Sequence, residues 1–196
     1  MKLIITGPPG AGKSTQAKRL ANLLGATSVS TGDIFRAHVR SRTSLGIGVE
    51  RYIDTGTFVP DELTNKLIHN RLSQKSAARG FLLDGYPRNI AQTTFLDSIL
   101  AEREYELDVV LLLSADNDVL VSRMLTRAAQ SRRSDDTKAI IDHRLKLYQQ
   151  QAEEVIKIYS SQGLLTRVNG VGSIDEVTER ILQSVRQGAN VSPVLR

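Results

Sequence analysis

The chain has 196 residues, which suits one domain that can bury a substantial core. Its hydrophobic content of 40% and charged content of 24% are close to globular averages, which disfavours a disordered chain. No apolar run approaches the roughly 20 residues of a membrane span. The sequence has no cysteine, which excludes disulfides, cysteine-type zinc sites and a thiol nucleophile.

The net charge of +5 leaves two kinds of partner open. A basic face would bind nucleic acid, whereas arginines gathered in a cleft would bind a small, highly anionic ligand. The chain has no block of five or more Lys/Arg residues, and its aromatic content of 5% is poor material for base stacking. We therefore expect a small anionic ligand, with no nucleic acid and no membrane as partner. The N-terminus leads straight into strand-like sequence without a secretory leader, so we also expect a cytoplasmic protein.

Strand-like and helix-like segments alternate along the chain. The strands are short β-branched or continuous apolar runs, predicted at 2–6, 27–30, 81–83, 109–113 and 164–168. The helices that follow them are predicted at 13–24, 91–101, 116–127, 139–160 and 174–186. This alternation predicts a doubly wound α/β fold with a parallel sheet. The tail from residue 188 onwards is expected to fray.

Residues 33–76 are helical and polar in pattern, and Gly46, Gly48, Gly56 and Pro60 interrupt them. A segment of this composition should contribute little to the core. It is therefore predicted to be a small helical insertion. The glycines are candidate flex points, or they only end helices.

Residues 7–14, with the sequence GPPGAGKS, match the phosphate-loop pattern and lie where that pattern requires, between a strand and a helix. The glycines let backbone N–H groups point at phosphate oxygens at a helix N-terminus. Lys13 can reach the β- and γ-phosphates of a nucleotide. A simple glycine-rich turn is the alternative. The motif predicts nucleotide binding and leaves the reaction open.

Polar residues follow the second and third strands, and ligands of open α/β sheets bind beyond such strand ends. Residues 30–33 read Ser-Thr-Gly-Asp and Arg36 comes one turn later, which by itself also fits a helix cap and a surface arginine. Asp84 and Arg88 follow the third strand, where an acid suits Mg²⁺ or merely caps a turn. Gln92 is either solvated or reads a base edge with its carboxamide.

Five arginines lie between the fourth and fifth predicted strands, namely Arg123, Arg127, Arg132, Arg133 and Arg144. The first two are four residues apart and share a helix face. Phosphoryl transfer needs fixed positive charge where phosphate oxygens crowd together, and a planar guanidinium supplies it well. Solvated surface charge, with Asp135 and Asp136 pairing locally, is the alternative for each arginine taken singly.

Four blocks together resemble the adenylate kinases, over about residues 1–170. They are Gly-x-Pro-Gly-x-Gly-Lys at 7–13, Ser-Thr-Gly-Asp at 30–33, Asp-Gly-Tyr-Pro-Arg at 84–88 and Arg-Ser-Asp-Asp at 133–136. The resemblance implies a P-loop NTPase three-layer α/β/α sandwich with a five-stranded parallel sheet. It also implies a monomer that reversibly transfers the terminal phosphoryl group of ATP to AMP, giving two ADP, with Mg²⁺ as cofactor.

The resemblance further implies a role for individual residues. The catalytic set would be Lys13, Arg88, Arg127, Arg133 and Arg144. ATP would be bound by Gly10, Ala11, Gly12, Lys13, Ser14, Thr15, Arg123, Arg127 and Gly172. AMP would be bound by Thr31, Gly32, Arg36, Val59, Gly85, Arg88, Gln92, Arg133 and Arg144. Asp84 would hold a water on Mg²⁺, and Asp135 and Asp136 would help to order a closed lid.

The whole chain, 1–196, is expected to form one domain. Its parts would be a core (1–29, 60–127 and 138–188), an AMP-binding insertion (30–59), a short lid (128–137) and a tail (189–196). Only five residues separate Arg127 from Arg133, which resembles the short-lid form of the family. Because the chain lacks cysteine, a cysteine-type zinc site in the lid cannot exist, and no zinc is expected. Closure of the insertion and the lid would exclude water from the transfer.

Two residues depart from the family pattern, which usually has Gly in place of Ser14 and Phe in place of Tyr86. Ser14 restores the hydroxyl with which other phosphate loops ligate Mg²⁺. It is therefore a candidate direct metal ligand that alters metal preference or turnover.

Two rival functions fit parts of the pattern. A UMP/CMP kinase shares the fold and the arginines, but such enzymes usually have Ala in place of Thr31 and no glutamine in place of Gln92. A nucleotide-binding switch without turnover would leave five arginines along one phosphate route unexplained. Thr31 and Gln92 therefore favour AMP as the acceptor.

Overall fold

All five predicted strands form one parallel sheet. In the computed structural model, which describes residues 1–131 and 137–191, the strands are β1 (Lys2–Thr6), β2 (Thr27–Ser30), β3 (Phe81–Asp84), β4 (Val109–Ser114) and β5 (Leu165–Asn169). Their order across the sheet is β2-β3-β1-β4-β5, and each neighbouring pair is parallel. The predicted α/β fold class is confirmed. The apolar runs of β1, β3 and β4 are buried because these strands occupy the centre of the sheet, with helices on both faces.

The helices connect and cover these strands. Within the described residues they are α1 (Lys13–Leu24), α2 (Thr31–Arg40), α3 (Ser44–Thr55), α4 (Asp61–Leu72), α5 (Lys75–Ala78), α6 (Ile90–Glu102), α7 (Asn117–Ser131), α8 (Lys138–Ser161) and α9 (Ile174–Val191). The bounds of α1 are those predicted, because Gly12 (φ 91°) and Gly25 (φ 63°) take left-handed conformations at its two ends. In this part of the chain no helix is both long and apolar enough to cross a membrane.

Helices α7 and α9 extend four or more residues beyond their predicted C-terminal ends. Residues 128–131, expected to begin the lid, form the end of α7, and residues 132–136 lie outside the described part of the chain. Helix α9 continues to Val191, so the prediction that the chain frays from residue 188 is wrong for 188–191.

Buried side chains form one cluster on each face of the sheet, since successive residues of a strand point to opposite faces. Ile4 lies in the first cluster, while Leu3 and Ile5 lie in the second. The first cluster also contains Val49 and Ile68, which are fully buried. The prediction that residues 33–76 contribute little core is therefore wrong. Their average composition is polar, but their few apolar side chains gather on the helix faces that meet the sheet.

The strand register brings two distant chain segments to one edge of the sheet. On β3, Asp84 is the register partner of Ile5 on β1 and of Ser30 on β2. The phosphate loop begins directly after β1, and α2 begins directly after β2. Gly7 opens that loop in close contact with β4, where a Cβ atom would collide with the carbonyl oxygen of Leu113. The loop, the third strand end and the start of α2 therefore converge.

Candidate active site

The phosphate loop presents a cationic, amide-rich surface at the end of β1. Gly10 (φ 86°) and Gly12 (φ 91°) both take left-handed conformations, which curve the backbone before α1. Because Gly12 has no side chain to cap α1, the first amides of that helix remain available to an anion. Lys13 lies over the loop, and its Nζ donates to the carbonyl oxygen of Pro8 at 2.8 Å.

The Lys13 amine is easier to deprotonate than an ordinary lysine. Burial lowers the pKa of Lys13 to about 8, the nearby Asp84 carboxylate opposes this, and the guanidinium groups of Arg88 and Arg127 add to the lowering. Several positive charges therefore converge on one space. A polyphosphate bound there would supply the compensating negative charge.

Asp84 is the junction of the two sides of the site. Its carboxylate is buried, and Oδ2 accepts hydrogen bonds from the Ser14 hydroxyl at 2.5 Å and from the Ser30 hydroxyl at 2.9 Å. The Ser30 oxygen also accepts from the backbone N–H of Asp33, so the same residue caps α2. The carboxylate thus joins the phosphate loop to the first turn of α2.

The oxygens of Ser14 and Asp84 suit Mg²⁺. This ion prefers hard oxygen ligands and usually takes one or two from the protein, with phosphates and water supplying the others. One carboxylate and one hydroxyl beside the phosphate loop fit that pattern. No cluster of three or more His, Cys, Asp or Glu that could hold a metal ion occurs among the described residues.

Thr31, Gly85 and Arg88 form one contact set across the cleft from the loop. The Thr31 hydroxyl and the Arg88 Nε both donate to the carbonyl oxygen of Gly85, at 3.1 and 2.8 Å. Gly85 has φ 79°, and a Cβ atom there would lie 3.0 Å from both side chains, so glycine permits this close approach. The Arg88 guanidinium also lies over the ring of Phe58, 4.7 Å from its centre.

Arg36 is held in the same region by a carboxylate. Asp33 Oδ1 accepts from Arg36 Nη2 at 2.8 Å, and Asp33 Oδ2 lies 2.8 Å from Lys18 Nζ on α1. Although burial alone would raise it, these two cationic partners lower the pKa of Asp33 to about 2. A Cβ atom at Gly32 would lie 3.0 Å from the Arg36 guanidinium. Arg36 is therefore an oriented cleft residue, and the surface-arginine alternative is wrong.

Gln92 is almost completely buried, at 1% exposure, so the solvated alternative for this residue is also wrong. Its Oε1 accepts from the backbone N–H of Arg88 at 2.8 Å, and its Nε2 donates to Oδ1 of Asp61 at 2.6 Å. Asn89 caps α6 by accepting from the Gln92 N–H at 2.8 Å. Sequence reasoning missed Asp61 and Asn89, whose residue types at helix starts indicate only capping.

The described arginines of α7 and α8 close the other side of the cleft. Arg123 donates to the carbonyl oxygens of Gly170 and Gly172 at 2.9 and 3.4 Å, which ties α7 to the loop after β5. Arg144 on α8 donates to the carbonyl oxygen of Ile53 at the end of α3. The predicted lid residues Arg132, Arg133, Asp135 and Asp136 lie outside the described residues.

A cleft of about 890 Å³ lies between these elements. Its volume is within the range of ligand sites. Every predicted site residue in the described part of the chain lines it. They are Gly10, Ala11, Gly12, Lys13, Ser14, Thr15, Thr31, Gly32, Arg36, Val59, Asp84, Gly85, Arg88, Gln92, Arg123, Arg127, Arg144 and Gly172.

Known proteins are similar in sequence to this chain over most of its length. A sequence model of the adenylate kinase family matches residues 5–164. An adenylate kinase from Pseudarthrobacter chlorophenolicus is 53% identical over 185 residues, which is 94% of this chain and 96% of that protein. Adenylate kinases from Kocuria rhizophila and Micrococcus luteus are 51% and 48% identical over 186 and 198 residues, covering 95% and 100% of this chain and 99% and 97% of theirs.

Proposed function

The chain belongs to the adenylate kinase family, and on that premise we propose that its cleft binds ATP at the phosphate loop and AMP against Thr31, Arg88 and Gln92. The enzyme is an adenylate kinase, which converts ATP and AMP reversibly into two ADP. The observation that carries the assignment of residues is the cleft, whose lining includes the cationic residues Lys13, Arg36, Arg88, Arg123, Arg127 and Arg144. Two phosphate chains that meet end to end need positive charge of this kind around them.

The ATP side rests on the loop and on α7. The loop amides and the Lys13 ammonium would hold the β- and γ-phosphates, because residues 10–15 line the same cleft. Arg123 would lie against the adenine, beside the loop that carries Gly172, and Arg127 would contact phosphate. These positions leave the γ-phosphorus directed towards the centre of the cleft.

The AMP side rests on α2, on the end of β3 and on α6. Arg36 and Arg88 would bind the AMP phosphate, and Thr31, Gly85 and the backbone of Val59 would close around the ribose and base. An oxygen of the AMP phosphate then attacks the γ-phosphorus in line, and the bond to the β–γ bridging oxygen breaks as ADP leaves. No protein nucleophile is required, since positioning and fixed positive charge provide the catalysis.

Adenylate kinases use Mg²⁺, which would supply positive charge that neutralises phosphate oxygens. Asp84 would hold the ion through a water, and Ser14 would contact it directly, because both oxygens lie beside the loop. The buried carboxylate also fixes the hydroxyl of Ser14 in place. No zinc is proposed.

Closure completes the site in this proposal. The insertion 30–59 and the lid 128–137 would move over the bound nucleotides and exclude water, which otherwise competes with AMP for the phosphoryl group. Arg133 and Arg144 would then contact the transferring group, with Asp135 and Asp136 ordering the lid. A monomer suffices, since all of these residues come from one chain.

The test measures ADP formation from ATP with AMP, CMP or UMP, with and without Mg²⁺. We expect Mg²⁺-dependent activity with AMP at least tenfold above that with either pyrimidine nucleotide. Arg88→Ala should lose AMP phosphorylation by two or more orders of magnitude, roughly the loss of one charge-stabilising donor, while ATP still binds. Arg71→Ala, which removes an exposed arginine of α4 outside the cleft, is the control. A preference for CMP or UMP would overturn the acceptor assignment.

A further inference from the structure

The carboxamide of Gln92 lies between two groups that can each bond to only one of its ends. A backbone N–H can only donate, so the atom that faces Arg88 N at 2.8 Å must be the oxygen Oε1. A carboxylate can only accept, so the atom that faces Asp61 Oδ1 at 2.6 Å must be the nitrogen Nε2. Rotation of the amide by 180° would set donor against donor and acceptor against acceptor. The orientation of Gln92 is therefore fixed by its surroundings.

The Asp61 carboxylate is itself held in place by hydrogen bonds. Asp61 is the first residue of α4, and its two carboxylate oxygens accept from Asn89 Nδ2 at 3.0 and 3.2 Å. The same Asn89 side chain accepts from the backbone N–H of Gln92. The three residues thus form a closed set that joins the start of α4 to the first turn of α6. Because Gln92 is 1% exposed, water is a poor substitute for these bonds.

The fixed carboxamide has one donor and one acceptor to spare. Among the described residues its two bonds leave one N–H of Nε2 and one lone pair of Oε1, and the side chain lines the cleft. Adenine presents an amino donor beside a ring-nitrogen acceptor, which this acceptor and donor match. Hypoxanthine presents a carbonyl oxygen in place of the amino group, and matching it would require the reversed amide.

We propose that Asp61 is a positioning residue that sets the base specificity of the acceptor site by holding the Gln92 carboxamide in the adenine-reading orientation. This inference rests on the proposed function, in which Gln92 lies at the base of AMP. Asp61 acts through Gln92 and need not touch the nucleotide. Its loss therefore changes which base is accepted and leaves the phosphate chemistry intact.

The test compares AMP with IMP as acceptors for Asp61→Asn. Asparagine keeps the shape of the side chain but also offers a donor, so it removes one of the two groups that oppose the reversed amide and leaves the Arg88 N–H as the other. We expect the KM for AMP to rise by about tenfold, the strength of one hydrogen bond to a charged group, with little change in kcat. The IMP-to-AMP ratio of kcat/KM should rise by about tenfold or more, and the KM for ATP should stay unchanged. Glu62→Gln, the same change at the exposed neighbouring residue, is the matched control.

A second set of variants separates positioning from a general structural effect. In a Gln92→Ala background, Asp61→Asn should no longer alter the IMP-to-AMP ratio, because the group that it orients is gone. Asn89→Ser is the substitute test if Asp61→Asn does not fold. It keeps a capping hydroxyl for α6 but removes the amide that holds Asp61, so it should also raise the IMP-to-AMP ratio of kcat/KM.

Calorimetric dissociation constants for AMP and IMP supply a readout that is independent of turnover. Failure of the wild-type enzyme to phosphorylate AMP would refute the proposed function itself. An IMP-to-AMP ratio that stays unchanged in folded Asp61→Asn or Asn89→Ser, or that changes equally with and without Gln92, would overturn the role of Asp61.

Discussion

The hydroxyl of Ser14 donates to Oδ2 of Asp84 at 2.5 Å, although 70 residues of sequence separate them. The same oxygen accepts from Ser30, which caps the first helix of the AMP side. One buried carboxylate oxygen therefore serves both halves of the cleft. We expect a change at Ser14 to affect metal binding first, because the Ser14 hydroxyl and the Asp84 carboxylate lie beside the phosphate loop.

Replacement of Ser14 by Gly should shift the Mg²⁺ dependence of the reaction. The change removes the hydroxyl that we propose as a metal ligand and its bond to Asp84, so we expect the half-saturating Mg²⁺ concentration to rise by about tenfold. Steady-state rates over a Mg²⁺ titration, and calorimetry of ATP binding with and without Mg²⁺, measure it. Ser14→Ala removes the same hydroxyl without adding a glycine and should behave alike. An unchanged Mg²⁺ dependence in both variants would exclude Ser14 as a metal ligand.

The affinity for ATP should weaken above about pH 8 because the pKa of Lys13 is lowered to about 8. Below that pH the ammonium is already protonated and binds phosphate directly. Above it, ATP binding must take up a proton, so the dissociation constant should rise by up to about tenfold per pH unit. Calorimetry between pH 7 and 9.5 in buffers of different ionisation enthalpy measures both effects.

Lys13→Arg is the control for this pH dependence. Arginine keeps its charge throughout that range, so the variant should bind ATP more weakly but lose most of the slope. An equal slope in the two proteins would assign the pH dependence to another group.

Asp33→Asn should destabilise the protein by about 1 kcal/mol at pH 7, the upper range for partly exposed ion pairs, because it weakens the bonds to Lys18 and Arg36. The pKa of Asp33 in the folded state, about 2, lies below the unfolded value of 3.8. Its stabilisation is therefore present above about pH 4 and is lost as the pH falls towards 2. Urea unfolding at several pH values should show that the difference in free energy of unfolding between wild type and variant decreases as the pH falls from about 4 towards 2.

Asp118→Asn provides the comparison, since Asp118 is an exposed acid in the first turn of α7. Its effect should be a few tenths of a kcal/mol, as expected for a charge near a helix N-terminus. A gap for Asp33→Asn that stays constant down to pH 2 would contradict the assignment of the low pKa.

Tyr86→Phe should lower the free energy of unfolding by about 1 kcal/mol, the contribution of one buried hydrogen bond. The Tyr86 hydroxyl is directed at Asn65 Oδ1, at 2.7 Å, and also lies 3.1 Å from the carbonyl oxygen of Gln92. Removing it leaves the Asn65 oxygen without this donor. Urea unfolding measures the change, and Tyr105→Phe, at a partly exposed ring, should stay within about 0.5 kcal/mol. An equal effect at both positions would show that the hydrogen bond of the Tyr86 hydroxyl makes no specific contribution to the free energy of unfolding.

Most of the strands and helices could be predicted from local sequence patterns alone. The β4 segment is an unbroken apolar run, so its strand was predictable, and the glycines that flank α1 set its two ends. The phosphate loop and the strand-end residues were predictable for the same reason, because each is a local pattern at a known place in such a sheet.

Contacts between helices could not be read in this way. Asp61 and Gln92 are 31 residues apart and meet only because α4 packs against α6. Nothing in either segment alone distinguishes Asp61 from an ordinary helix-starting acid. The buried role of Val49 was missed for a related reason, since an average over a polar segment conceals one apolar face.

The contacts that form the cleft join residues that are far apart in the sequence, so an intact cleft indicates that the whole protein has folded. Asp84 bonds to residues 70 and 54 positions away, and Arg144 reaches 91 positions back to Ile53. Any contiguous fragment that holds all of these contacts must therefore span residues 14–144. Phosphoryl transfer should appear only after these long-range contacts have formed, and not with the first helix. In this protein a simple activity measurement doubles as a probe of native topology.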